Sequence, residues 1–330
     1  MPHRTLALAL LVTLCGPGRA QQTPEPLAPF ARLVGGEWRM TREGRAIQFD
    51  TWTWGPGRRS IVNSTHGWAG EDEPWRALDL YYWHPGRREV RVLGLHQDIP
   101  TIGRGVMEGA VTFEDAAPRT RVDLYQQNRP RRPRTLAARW DLEGPERYRE
   151  TLLEAEGPDA PFSELAAWDY VHTSELTPQG PLPAAALELS ANLRALAPLV
   201  GGTWSERGGD DAPGATLEWL PLVEVVRLRV SSATSAEPLL EAYLFHHPTR
   251  DFLRCLAFSA AGGVHEGHVV TPDDGSIRLL LAGYGDAGTA QHEVRLEPQA
   301  DGAWRTRVWS VEGDGRTLLL DQRRARGAPR

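Results

Sequence analysis

Apolar and polar positions along this chain recur with the two-residue period of half-buried strands. Trp304-Arg305-Thr306-Arg307-Val308-Trp309 alternates along its length, and Glu89 to Leu95 and Ser276 to Leu281 are strand-length runs rich in Val, Ile and Leu. Gly, Pro and Asp interrupt such runs about every ten residues, as strand-and-turn architectures require. Pro85-Gly86-Arg87 and Pro272-Asp273-Asp274-Gly275 carry the residue types that set turn dihedrals. Helical spacing occurs in two places. Leu27 and Phe30 stand three apart, and Leu189, Leu193 and Leu196 stand at i, i+4 and i+7, which predicts a short helix within Ala184 to Leu196. Regular strands without long helices predict an all-β protein, either a sandwich or an up-and-down barrel.

The pattern occurs twice. Leu33-Val34-Gly35-Gly36-Glu37-Trp38 returns as Leu199-Val200-Gly201-Gly202-Thr203-Trp204, and Trp54-Gly55-Pro56 returns as Trp219-Leu220-Pro221. Tyr81-Tyr82-Trp83-His84-Pro85 matches Tyr243-Leu244-Phe245-His246, which is followed by His247-Pro248. Three matches in one order with slowly drifting offsets predict a duplicated domain. The expected organisation is a signal segment over 1–20, a first barrel over 27–176, a Pro-rich linker with a short helix over 177–196, and a second barrel over 197–330. Roughly eight to ten strands fit each copy, enough to close a barrel around a small cavity.

A short helical turn followed by Gly-x-Trp at the head of a series of antiparallel strands resembles the lipocalin and fatty-acid-binding calycins and the nitrobindin-like barrels. The phrase Leu-x-x-Leu-Val-Gly-x-x-Trp is also similar to lipocalin-like domains of exported bacterial proteins. The likeness in residues is confined to Gly36-Glu37-Trp38 and Gly202-Thr203-Trp204, while the likeness in pattern covers most of each repeat. It implies two calycin-like up-and-down barrels whose indole closes one end, with an interior pocket for a small apolar or amphipathic molecule. Nitrobindin-like barrels bind haem through a histidine near the last strand. Here only the first copy offers one, His172, so no cofactor is expected.

The N-terminus adds a compartment. Arg4, the apolar stretch Leu6 to Leu14 and Gly18-Arg19-Ala20 form the pattern of a secretory signal cleaved before Gln21. Val12-Thr13-Leu14 lacks the small residue a lipobox needs, so anchoring through Cys15 is not expected. The mature chain would be exported, periplasmic or extracellular, with Cys255 as its single thiol, unable to form an internal disulfide and read as a buried core residue. Charge excludes a broad class. The net charge of −6 leaves no basic field for nucleic acid. All 37 basic residues are arginine, which fits a GC-rich coding sequence.

Candidate chemistry is sparse. His265-Glu266-Gly267-His268 looks like a metal motif, but residues three apart on a strand point to opposite faces, so no metal is expected. No Gly-x-Ser-x-Gly elbow or phosphate-binding Gly-rich loop with lysine is present. Asp72-Glu73 and Asp210-Asp211 read as solubilising loop pairs, Arg129 to Arg134 as a solvated loop, and Asn63-Ser64-Thr65 as a glycosylation pattern of no consequence in a bacterial-type chain. Trp54, Trp219, Tyr81, Tyr243, His84 and His246 are the candidate ligand-binding residues, because they are the matched aromatic and imidazole positions of the two copies. Both histidines stand before hairpin turns, where capping the turn is their simplest role.

Three readings of function follow. A carrier of a small apolar ligand requires an apolar cavity inside at least one barrel. An interaction module requires filled barrels and an apolar patch outside. A barrel-interior isomerase or cyclase requires a His, Asp or Glu in the cavity with a shifted pKa. The first is the leading expectation, with a small apolar ligand as partner and no membrane span after signal cleavage.

Overall fold

A computed structural model describes residues 25–326, apart from 69–73, 127, 130–132, 158–159, 178–187, 207–213, 222 and 232–236. The signal segment, Cys15, Asp72-Glu73, Asp210-Asp211, the Pro178 to Pro183 linker and part of the Arg129 to Arg134 loop lie outside the described residues.

The chain is all-β and forms two closed antiparallel up-and-down barrels of ten strands each. In the first, β1 (Glu37–Arg42) pairs with β2 (Arg45–Trp54) on one side and with β10 (Ser163–Thr173) on the other, so no sheet edge is left open. The second runs from β11 (Gly202–Glu206) to β20 (Gly315–Arg326) and closes through the same kind of pairing. No helix among the described residues is long and apolar enough to cross a membrane.

Each barrel is closed at one end by a 3-10 segment, Glu25–Arg32 in the first and Ala191–Leu199 in the second. The expected α-helical stripe is corrected here. With three residues per turn, Leu193, Leu196 and Leu199 fall on one buried face, as do Leu27, Phe30 and Leu33, while Leu189 is only partly packed. Pro29 and Pro198, which cannot donate to an α-helical ladder, stand within these segments.

The repeated Gly-x-Trp fastens each plug to its barrel. Trp38 Nε1 donates to the Leu33 carbonyl and Trp204 Nε1 to the Leu199 carbonyl, both at 2.9 Å. The glycine is needed for closeness. A Cβ on Gly36, at φ +66°, would stand 2.4 Å from His172 Nε2, and one on Gly202 would stand 2.5 Å from Arg326 Nε. His172 packs on Trp38 and lies 2.9 Å from the Gly35 carbonyl. In the second barrel Arg326 covers Trp204 and donates to the Val200 and Gly201 carbonyls. His172, the residue considered for haem, thus locks the end of its barrel.

The barrels meet along a seam of outward-facing apolar residues. Leu80, Tyr82, Leu93 and Leu95 from the first pack with Tyr243, Phe245, Leu256 and Phe258 from the second. The seam carries internal symmetry. The His84 carbonyl accepts from the backbone N–H of Arg87 and Arg88, and the His247 carbonyl from those of Arg250 and Asp251. His84 pairs with Glu89 across its hairpin, as His247 pairs with Phe252. His247, rather than His246, is therefore the counterpart of His84. Under this match His84 lies 3.4 Å from Glu266 and stacks near Tyr284, while His247 lies 3.9 Å from Glu108 and near Tyr125. Arg254 also pairs with Glu108 across the seam.

Candidate functional site

The two interiors differ in chemistry. The second barrel encloses a cavity of about 160 Å³ walled by Leu217, Leu244, Leu279, Leu281 and similar side chains, with Cys255 among them. Burial pushes the Cys255 thiol up to about 12, so it is a core residue there and not a nucleophile. His265 lines this cavity while Glu266 faces the seam, and His268 is exposed, which separates the two histidines of the metal-like motif onto opposite faces. Among the described residues no cluster of three or more His, Cys, Asp or Glu has the geometry to hold a metal ion.

The first barrel encloses about 190 Å³, and its wall is mixed. Strand alternation explains which side chains reach it. On β2, Gln48 and Asp50 point inward with Trp52. On β3 (Ser60–Trp68), Asn63 and Thr65 follow suit, and on β4 (Pro74–His84) Ala77, Asp79 and Tyr81 do so. β5 (Glu89–Ile99) supplies Val92 and His96, and β9 (Arg147–Ala155) supplies Glu150 and Leu152. Trp68, Trp75, Trp140 and Trp168 complete an aromatic wall.

The polar groups form two connected sets. In the first, Tyr148 Oη donates to Asp50 Oδ2 at 3.1 Å and Gln48 Nε2 donates to Asp50 Oδ1 at 3.2 Å. Gln48 Nε2 also reaches Tyr170 Oη at 2.5 Å, and that hydroxyl donates to Glu150 Oε2 at 3.3 Å. The stacked rings of Tyr148 and Tyr170, 4.4 Å between centroids, hold both hydroxyls in place. The second set is Asp79 Oδ1 and His96 Nε2, 2.8 Å apart. Gly94 makes room for it, since a Cβ there would stand 2.5 Å from Asp79 Oδ1 and 2.7 Å from Met107 Cε.

Loss of water around these carboxyls dominates their titration. Burial raises Asp50 from 3.8 to about 7 against the hydrogen bonds of Gln48, Tyr148 and Thr65, with the Asp79 charge adding to the rise. Burial likewise raises Glu150 from 4.5 to about 8, reinforced by Asp50 and Asp79. Asp50 and Glu150, both raised by burial, thus share one small space in which ionisation of one disfavours ionisation of the other.

Of the candidate ligand-binding residues, the structure places only Tyr81 in this cavity. Trp54 packs against the first barrel's core and lies under the Arg58 guanidinium, and Trp219 packs against the second core. Tyr243 is on the outer wall, in the seam. His84 caps its turn, its Nδ1 accepting from the Arg87 N–H at 3.1 Å, and His246 Nε2 lies 3.1 Å from Asp251. The six are not brought together. Sequence reasoning missed Asp50, Asp79, His96 and Glu150, which strand alternation brings to one cavity. Asp79 carried a signal, as a lone carboxylate within Ala77-Leu78-Asp79-Leu80-Tyr81. The Asn63 acceptor pattern proves to lie inside the barrel wall, 5% exposed.

Fold and cavity together define a tandem ten-stranded β-barrel protein with one polar and one apolar interior. The chain matches no protein-family model and no curated protein.

Proposed function

We propose that the first barrel is the working domain and holds a small amphipathic molecule, and that the second braces it. The observation that carries this reading is the enclosed cavity of about 190 Å³ with indoles on its wall and Asp50, Asp79, Glu150 and Asn63 at its polar side. Aromatic walls with a few placed polar groups are the chemistry of small-molecule sites, and this volume, below the common range of about 300–1,000 Å³, restricts the guest to a small one. The second barrel's cavity is walled mainly by apolar side chains, with His265, Gln322 and Arg324 among its few polar ones. The calycin-like reading of both barrels, suggested by Gly-x-Trp and the plugged end, belongs to the same proposal, as does export through the signal pattern before Gln21.

Native mass spectrometry of the full chain, recovered after export and then extracted under denaturing conditions, tests it. Extra mass that leaves on denaturation supports the binding reading, and a clean apo mass from several expression hosts overturns it. Intact-mass measurement and peptide mapping of the same material should place its N-terminus at Gln21, free or cyclised to pyroglutamate, if the export reading holds.

A second reading, a proton-transfer enzyme such as an isomerase, is favoured by one observation: the Asp79–His96 contact shares a cavity with two carboxyls poised near neutrality. Recovery of a chemically altered ligand after incubation with the protein, absent with Asp79→Asn, would favour it over carriage.

A further inference from the structure

Glu150 stands between two indoles. Across the sheet its Cα partners are Trp140 on β8 (Arg134–Leu142) and Trp168 on β10, and all three side chains line the first cavity. A carboxylate with indoles as its neighbours suits a desolvated ammonium group, since aromatic rings and a carboxylate both attract positive charge.

The acceptor inventory points the same way. Asp50 receives hydrogen bonds from Tyr148, Gln48 and Thr65, and Glu150 from Tyr170, which leaves a lone pair on Asp50 and more on Glu150. Among the described residues no arginine perturbs either group, and the guanidinium that reaches the cavity wall is Arg42. Asn63 also lines the cavity, and its Oδ1 has no hydrogen-bond partner although the side chain is buried. A buried carbonyl left without a donor is costly, and a guest that donates hydrogen bonds removes that cost. Once Asp50 and Glu150 ionise, the polar side of the cavity presents acceptors, with His96 already turned to Asp79 and Arg42 the guanidinium on the wall. An anionic guest would meet three carboxyls, and a neutral hydrocarbon would leave the acceptors unsatisfied.

We infer that the molecule held in the first barrel is a small organic cation, an amine whose N–H groups are received by Glu150, Asp50 and the Asn63 carbonyl while its carbon skeleton lies against Trp140 and Trp168. The inference rests on the binding reading above and names its ligand class. Asp79 already has His96 as its partner.

Titration calorimetry at about pH 9, where Asp50 and Glu150 ionise while an alkylammonium keeps its proton, on the full chain freed of retained ligand, decides it with isosteric sets: 2-phenylethylamine, 2-phenylethanol and phenylacetate, then butylamine and butanol as smaller probes. Each amine is expected to bind about tenfold or more tightly than its alcohol, the worth of one buried charge-assisted hydrogen bond, with no binding of phenylacetate. Glu150→Gln should remove most of that preference while leaving alcohol binding within about twofold, for it keeps the shape and deletes the charge. Should Glu150→Gln fail to fold, Asn63→Ala provides the same test through the other acceptor. Equal or tighter alcohol binding, or no amine binding, overturns the inference. If a neutral or anionic molecule is then found retained by native mass spectrometry, the cation falls and the binding reading stands. If nothing is retained either, both fall.

Discussion

Asp50 and Glu150 carry the clearest consequence of single residues for the whole fold. Both are raised above their ordinary values by burial, to about 7 and about 8. From about pH 4 to 8 the folded chain therefore holds more protons than the unfolded one, so the stability these groups contribute is full below their ordinary pKa values and is lost as pH rises through 7 and 8. Melting temperature in the ligand-free protein is expected to fall between pH 5 and 9. Asp50→Asn and Glu150→Gln, measured by calorimetry over that range, should each flatten the fall. The pair titrates together, so the double variant should remove most of the pH dependence and less than the sum of the singles. A wild-type curve that is flat or rises over this window would rule out buried acids of this kind. Gly94 gives a second residue-scale test. Gly94→Ala forces a methyl group against Asp79 and Met107, and such overpacking costs about 1–3 kcal/mol. Chemical denaturation should show that loss, and the His96 imidazole resonances in NMR should shift because its carboxylate partner has moved. Of these residues the sequence displays only Asp79 as unusual. Glu150 sits in Arg149-Glu150-Thr151-Leu152, where either parity places a polar group outside, and Asp50 sits in Ile47-Gln48-Phe49-Asp50, whose pattern favours Ile47 and Phe49 inward, the opposite of the parity found; parity is fixed only once strand register is known.

At the scale of elements, the legible part was whatever repeats. Gly-x-Trp announced the start of each barrel, and the structure shows why it occurs twice: an indole N–H satisfies the last carbonyl of a 3-10 plug, and glycine lets His172 or Arg326 cover the ring. The plug itself was read with the wrong period. Leucines at 189, 193 and 196 fit an α-helical stripe, yet Leu199 completes a three-residue spacing with 193 and 196, and Pro198 favours the tighter turn. The third repeat match slipped by one residue for a related reason: Tyr81 and Tyr243 agree in type but face opposite sides of their strands, whereas hairpin hydrogen bonds pair His84 with His247. Trp38→Phe and Trp204→Phe are the tests of the plug. Each deletes one buried indole hydrogen bond while keeping most of the ring volume, so a loss of about 1–3 kcal/mol is expected. Hydrogen exchange should quicken in Glu25–Arg32 for the first variant and in Ala191–Leu199 for the second, each without effect on the other plug. Loss of protection in both plugs from either variant would mean that the barrels do not close independently.

For the whole molecule, the seam explains a pattern that a single-barrel reading leaves unaccounted for. Leu80-Tyr81-Tyr82 and Tyr243-Leu244-Phe245 carry apolar or aromatic residues on both strand faces, the mark of strands covered on both sides. One face fills its own barrel and the other meets the neighbour. The contacts across the seam are those of a twofold interface between copies: His84 with Glu266 and Tyr284 answers His247 with Glu108 and Tyr125, and Tyr82 against Phe258 belongs to the same apolar centre. A patch that meets its own counterpart across a twofold axis is self-complementary. The second barrel on its own closes its sheet through β11 and β20, but it would expose Tyr243, Phe245, Leu256 and Phe258 to water. Residues 188–330 expressed alone are therefore expected to form a dimer, in which Arg254 of one copy meets Glu266 of the other as it meets Glu108 in the intact chain. Sedimentation velocity over a concentration series reads this directly. Phe245→Arg places a charge at the apolar centre of the patch and should return the isolated barrel to a monomer without unfolding it, as circular dichroism would confirm. An isolated second barrel that stays monomeric at high concentration would show that the seam is held by covalent connection and not by the complementarity of its faces.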